Sequence, residues 1–219
     1  MTGTDTGVGK TVVACALLRA FAARGLRAAG MKPVAAGAEW RDGAMINGDV
    51  EQLLAAGNVR AARELVNPYC FVPPIAPHIA AARAGATIVL DHIASCYREL
   101  AARADVVVVE GAGGFRVPLG PGLDTGDLAS RFALPVVLVV GMRLGCLNHA
   151  LLTAEAIASR GLTLAGWIAN HVDPAMEAAD ENVDALEERL SAPLIARIPC
   201  FASVESCALA FKIDLGWPR

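Results

Sequence analysis

The sequence predicts an α/β fold with a mostly parallel central sheet, and three observations carry that prediction. Two continuous apolar runs rich in valine, Val106–Val109 and Pro135–Val140, have no polar face. They read as strands covered on both sides, as in a parallel sheet. Segments with apolar residues at three- and four-residue spacing fall between the strands, giving a strand–helix alternation. Hydrophobic residues make up 55% of the 219-residue chain against 19% charged, enough apolar material for a full core in one domain spanning 1–219. The expected architecture is three layers, α/β/α.

Taken in order, the chain opens on Gly3–Thr11, GTDTGVGKT, a glycine-rich stretch that feeds a helix. Lys10–Arg24 is that helix, with Val12, Val13, Leu17, Leu18 and Phe21 recurring along it and Gly25 closing it. Arg27–Val34 is a short strand. Pro33 cannot donate to a ladder, so Lys32 stands at the strand's C-terminal end. Ala35–Asn47 is a loop, and Asp49 is the expected N-cap of a helix over Val50–Ala56. Ala61–Val66 and His78–Ala84 are short helical pieces on either side of a proline-rich extended loop, Asn67–Pro77. Asp91–Ala104 is a helix with Ile93, Tyr97 and Leu100 on one face.

The strand Val106–Val109 leads into Glu110 and then Gly111-Ala112-Gly113-Gly114. A short helix over Asp124–Phe132 precedes the strand Pro135–Val140. Leu144–Asn148 is a loop turning into a helix that runs to Ser159. Leu164–Ala169 is a strand ending at Asn170, Met176–Leu190 an amphipathic helix with an acidic outer face, and Leu194–Ile198 a strand ending at Pro199. From Cys200 onward there is no strong pattern.

Composition removes several function classes. A net charge of -3 argues against a general nucleic-acid binder. The most apolar run, Phe132–Met142, is too short to span a bilayer and contains Pro135. The N-terminus has no basic stretch followed by an apolar one, so no signal peptide is expected. Six scattered cysteines, with no C-x-x-C pair, read as reduced core thiols of a cytoplasmic protein.

The candidate chemistry starts at Gly3–Thr11. A glycine-rich loop at a helix N-terminus points backbone N–H groups at an anion, with the helix dipole behind them. Lys10 would reach the outer phosphates of a nucleotide and the Thr11 hydroxyl would lie on Mg²⁺. The P-loop match is imperfect, because Thr4 occupies the position of its first glycine. Only Met1 and Thr2 precede Gly3, so the buried strand that should lead into the loop reads as truncated. A misassigned start or a shortened sequence is the expected cause.

In open parallel sheets, ligands sit beyond the carboxyl ends of the strands. Lys32, Glu110, Asn170 and Pro199 all fall at such ends. Thr11, Asp49 and Glu110 supply the hard oxygens that Mg²⁺ takes, and Lys10 and Lys32 would neutralise a phosphoryl group in transfer. Each residue also has a plainer reading: Asp49 as a helix cap, Glu110 as a strand-exit residue, Lys32 as a solvated lysine.

Six blocks, GTDTGVGKT, MKPVAAG, VNPYCFVPPIAPH, VVVVEGAGG, VVLVVGMRLGCLNHALLTAEAI and LAGWIAN, resemble the dethiobiotin synthetase family in its order, from the P-loop to about Pro199. The resemblance implies ring closure of 7,8-diaminopelargonate with CO₂ and MgATP to dethiobiotin, ADP and phosphate, through a carbamate and a carbamic–phosphoric anhydride. It implies Lys10 and Lys32 as the catalytic cations and Thr11, Asp49 and Glu110 as magnesium ligands. The nucleotide would be held by Gly7, Val8, Gly9, Lys10, Thr11, Asp49, Glu110, Gly111, Ala112 and Gly113, with adenine against Asn170, His171 and the turn Pro199, Cys200 and Phe201. The substrate would contact Thr6, Lys32 and Ala36, its carboxylate clamped by Gly145, Cys146, Leu147 and Asn148 of a partner subunit in a homodimer. His149 is expected to be a plain helix residue, and Cys146 to contribute only its backbone.

The chain departs from the family pattern at the short first strand, at Ala36 where a serine is frequent, and after Phe201, where Glu205 is the candidate for a ribose- or adenine-side acid. Two other classes fit the loop: a partner-regulated switch ATPase and a nucleotide-binding protein without turnover. Switch ATPases of the kind that position division machinery carry a lysine where this chain has Thr4, which counts against the first.

Overall fold

The fold is described from a computed structural model for residues 1–41 and 43–211, without the side chains of 209 and 210. In chain order the elements are β1 (Thr2–Gly3), α1 (Lys10–Ala22), β2 (Ala28–Met31), β3 (Val34–Ala36), β4 (Glu39–Arg41), β5 (Ala44–Ile46), α2 (Gly48–Ala56), α3 (Arg63–Val66), β6 (Tyr69–Phe71), α4 (Pro77–Arg83) and α5 (Leu90–Ala101). Then follow β7 (Val106–Val109), β8 (Pro118–Gly120), β9 (Leu123–Asp124), α6 (Thr125–Phe132), β10 (Val136–Met142), α7 (Cys146–Ser159), β11 (Leu164–His171), α8 (Ala179–Arg189), β12 (Leu194–Ile198) and α9 (Val204–Ala210).

The central strands pair in parallel, β1-β10-β11-β12 on one side and β2-β7 and β3-β6 on the other. Single main-chain bonds join these groups. The Met1 nitrogen donates to the Val109 carbonyl at 2.6 Å and the Gly111 N–H to the Met1 carbonyl at 3.0 Å. At the other side, Lys32 N–H donates to Val66 at 2.8 Å and Tyr69 N–H to Pro33 at 3.2 Å. The strands therefore run β6, then β3 and β2, then β7, β1, β10, β11 and β12.

Alternate residues of the strands face opposite layers. Val108, Val137, Val139, Ile168 and Ala196 pack with α1, Leu53 of α2 and Cys207 of α9. Leu138, Val140, Met142, Trp167 and Ala169 face α7 and α8, while Val107 and Val109 face α5 and α6. This is the expected three-layer α/β/α arrangement.

The first strand is present, though short. Thr2 lies opposite Leu138 and Gly3 opposite Val139, and Thr4 N–H donates to the Val139 carbonyl at 3.0 Å. Two residues thus fix the entry of the glycine-rich loop. Val106, Val107 and Val109 are only half-buried, unlike the two-sided cover expected of a valine run. Among the described residues no β1 residue pairs with Val106–Val108 or Val136–Val137, and a cavity of about 80 Å³ opens there, lined by Met1, Val109, Phe115, Leu128, Phe132 and Val136.

Other expectations are corrected at element ends. The strand expected over Arg27–Val34 breaks at Lys32-Pro33 into β2 and β3, because the chain turns to take Val66 and Tyr69 as new partners. The loop Ala35–Asn47 holds the antiparallel hairpin β4–β5, and the loop Asn67–Pro77 holds β6, whose flanking prolines are tolerated because it pairs on one side only. The patternless tail contains α9, capped by Ser203 accepting from Ser206 N–H and packed through Cys207 on the α1 layer. Residues 212–219 of that stretch lie outside the described residues.

Candidate active site

The loop between β1 and α1 is shaped by one buried valine. Val8 has no exposed surface, and its side chain fills the space beside two glycines. A Cβ on Gly3 or on Gly141 would come within 2.7 Å of Val8. The Val8 carbonyl accepts the Asn170 side-chain amide at 2.8 Å, and Thr4 Oγ1 accepts the Gly141 N–H at 3.4 Å. Gly7 and Gly9 adopt φ of 74° and 84°, which glycine enters without steric cost. The loop is therefore wrapped around the start of α1, where free N–H groups and the helix dipole favour an anion.

Four side chains from four elements meet beside it. Glu110, just past β7, is 1% exposed. Its Oε1 accepts from Lys32 Nζ at 2.5 Å and from Thr11 Oγ1 at 2.9 Å. Lys32 Nζ also donates to Asp49 Oδ2 at 2.9 Å. Lys10, buried as well, donates from Nζ to the Asp5 carbonyl at 2.8 Å. Lys10, Thr11, Lys32, Asp49 and Glu110 thus form one cluster although 100 residues of sequence separate the first from the last.

Electrostatics sets the two lysines apart. Burial, helped by the Lys32 ammonium, lowers Lys10 to about 8. Burial presses Lys32 downward too, but Glu110 and Asp49 more than offset it and hold its pKa above the usual lysine value. Burial would raise Asp49, yet the Lys32 ammonium outweighs it and keeps that carboxylate below its usual range.

Asp49 is free for this role because it does not cap its helix, contrary to the expectation from sequence. The N-cap is Asn47, whose Oδ1 accepts from Asp49 N–H at 3.1 Å and Val50 N–H at 3.4 Å, while its Nδ2 donates to the Ala36 carbonyl at 3.2 Å. Asn47 was legible as a good cap residue, but Asp49 is one as well, and only the start of the helix decides between them.

The remaining candidates take their places around this cluster. Thr6 is exposed, beside Gly113 of the Gly111–Ala112–Gly113 turn, whose φ is 65°. Asn170 and His171 end β11, and the Asn170 amide is already engaged on the loop. Pro199, Cys200 and Phe201 form the turn after β12, with Phe201 at φ 59° and almost wholly exposed. Gly145, at φ 94°, is the N-cap residue of α7, Cys146 is buried, and Asn148 and His149 are exposed. Among the described residues, no hydrogen bond or ion pair links Gly145–Asn148 directly to the five-residue cluster.

Sequence reasoning missed the pair Arg143–Asp5, in which the guanidinium donates to Asp5 Oδ2 at 2.5 Å. Its position was a usable signal, since Arg143 follows β10 at the same rim that receives Lys32 and Glu110. Glu205, weighed as a ribose- or adenine-side acid, lies exposed in the first turn of α9.

The chain's similarities to known proteins agree with this geometry. The model of a family described as an AAA domain matches residues 1–207. The chain is 56% identical to the ATP-dependent dethiobiotin synthetase BioD of Aromatoleum aromaticum, over 98% of this chain and 96% of that protein. Among solved structures, the cell division protein MinD of Aquifex aeolicus aligns with a TM-score of 0.54 and 17% identity, covering 94% of this chain and 84% of that one. The MinC:MinD complex from the same organism aligns with 0.57 and 16%, covering 98% and 96%. Likeness at that identity is a likeness of fold.

Proposed function

Since the chain belongs to the AAA domain family and to the ATP-dependent dethiobiotin synthetases, and is thereby an ATP-dependent ligase of biotin biosynthesis, we propose how its site performs that reaction. The substrates are ATP, CO₂ or bicarbonate, and 7,8-diaminopelargonate. The observation that carries the reading is the cluster of buried Lys10, Lys32 and Glu110 with the partly buried Thr11 and Asp49 at the mouth of the glycine-rich loop.

The backbone of Gly7–Thr11 cradles the phosphates, and Lys10 leaves the Asp5 carbonyl to hold the outer ones. Lys32 bridges the γ-phosphate and the substrate carbamate. One amine of the diamine carries the carbamate, whose oxygen takes the phosphoryl group from ATP. The second amine then attacks the activated carbon, closing the cyclic urea and releasing phosphate. Two fixed cations act where negative charge gathers on the transferring group, which is where preorganised charge has most effect.

Thr11, Asp49 and Glu110 would hold Mg²⁺. The fit rests on chemistry and on one buried atom: the donors are all oxygens, and Glu110 Oε2 is buried without a hydrogen-bond partner among the described residues. When bound, the ion neutralises charge on the β- and γ-phosphates. Asn170, His171 and the Pro199–Phe201 turn border the adenine, and Thr6 and Ala36 border the diamine. The segment Gly145–Asn148 serves the partner's site in a homodimer, where N–H groups at the start of α7 suit a carboxylate. We assign the enzyme to the cytoplasm because its scattered cysteines, free among the described residues, read as thiols kept reduced. No helix among the described residues is long and apolar enough to cross a membrane.

ADP release that depends on both diaminopelargonate and bicarbonate is the expected result. Hydrolysis indifferent to both would favour a switch ATPase, and binding without turnover a non-catalytic protein.

A further inference from the structure

We propose that Arg143 is a positioning residue for the nucleotide loop, acting through Asp5; this deepens the reading of the site given above. Arg143 stands immediately after β10. Its Nη2 donates to Asp5 Oδ2 at 2.5 Å, while Asp5 Oδ1 accepts the Thr6 N–H at 2.7 Å. The carbonyl of the same aspartate accepts Lys10 Nζ at 2.8 Å. Asp5 is thus held on both carboxylate oxygens, and in that position it fixes the acceptor on which the Lys10 ammonium rests.

The backbone of Arg143 acts in a second loop, the connection between β10 and α7. Its carbonyl accepts the Cys146 N–H at 3.0 Å, closing the turn that starts α7. One residue therefore links the phosphate-binding loop to the segment Gly145–Asn148. Both side chains of the ion pair are close to half exposed, at 42% and 48%, so its contribution to stability is small. What it supplies is orientation. Without it, the Asp5 carboxylate keeps only its contact to Thr6, the loop gains conformational freedom, and an anion must restore the order on binding.

The test is calorimetric titration of the full chain with MgADP. Arg143→Gln is expected to weaken binding about five-fold, or about 1 kcal/mol on a scale where tenfold is about 1.4 kcal/mol. Asp5→Asn should match it, and the double variant should be no weaker than either alone, because both remove the same link. Arg143→Lys should stay within about two-fold of wild type, since one charge-assisted bond is all the guanidinium makes to Asp5. Arg131→Gln, which breaks an exposed pair with Asp91 away from the loop, is the control and should bind as wild type does. Melting temperatures close to wild type separate these shifts from misfolding. If Asp5→Asn does not fold, the Gln and Lys variants at 143 decide between them. Unchanged affinity in Arg143→Gln, or additive effects of the two substitutions, would overturn the proposal. MgADP binding needs no turnover, so a chain that failed to make dethiobiotin would refute the functional reading and leave this test intact.

Discussion

Lys10 and Lys32 are both buried lysines beside one nucleotide loop, yet their surroundings push them in opposite directions. Burial, and after it the neighbouring Lys32 ammonium, lower the pKa of Lys10 to about 8. Lys32 is clasped by two carboxylates and stays charged throughout the accessible range. The sign of the consequence is direct. In the role proposed for it Lys10 holds phosphate as the ammonium, so it would bind fully below its pKa and lose that charge as pH rises through it. The MgADP dissociation constant should be flat up to about pH 8 and then rise up to about tenfold per pH unit, as measured by calorimetry in the free enzyme. A flat profile to about pH 9.5 would show that the Lys10 charge is not what holds the phosphate. Lys10→Ala and Lys32→Ala should each lower kcat by at least ~10²-fold in steady-state assays, the scale of a lost preorganised contact. The second variant also strands Glu110 as a buried charge, at a cost of about 3–5 kcal/mol, so its kcat must be read on protein shown to be folded by circular dichroism. The identities of these residues were legible in the sequence. The engagement of the Asn170 amide on Val8 was not, because 162 residues separate the two and no local pattern announces the bond.

At the scale of elements, the helix α2 illustrates how a cap decides what a neighbouring residue can do. Asn47 takes the orphan N–H groups of the first turn and also reaches back to Ala36, at the end of β3. Asp49 is thereby left with a side chain free to face Lys32. Asn47→Ala is expected to lower stability by about 1 kcal/mol in urea denaturation, and Asn47→Ser to recover most of it. Equal losses in both variants would show that the Ala36 contact, rather than the cap, is what matters. The same scale shows why β3 and β6 were hidden. Proline marks a break when read locally, but strands paired on one side tolerate it, and the Lys32-Pro33 break is where the chain exchanges β7 for β6 as its partner.

For the whole molecule, the proposal with most chemical content is that Gly145–Asn148 completes a site in a second copy of the chain. Among the described residues this segment reaches its own cluster only through Arg143 and Asp5. Mixing Lys10→Ala and Asn148→Ala subunits separates the possibilities. If the segment acts across a two-fold interface, each mixed dimer regains one intact site, and random exchange restores about a quarter of wild-type activity. If it acts within its own chain, the mixture gives no more than the mean of the two variants. The fold alone does not discriminate function at this scale, since MinD shares it at 17% identity. The activity follows from the 56% identity to a dethiobiotin synthetase over nearly the whole chain.

By itself, the sequence determined what short-range physics can encode. The valine runs gave strands, the three- and four-residue spacings gave helices, and the glycines with Lys10 and Thr11 marked an anion-binding helix start. The tertiary structure decided everything that depends on which strand lies beside which. It brought residues 10, 11, 32, 49 and 110 to one point, set two residues of β1 between β7 and β10, chose Asn47 over Asp49 as the cap, and left Arg143 against Asp5. Those outcomes are non-local pairings, and their energies are settled only when distant segments close on a shared core, so no window along the chain contains them.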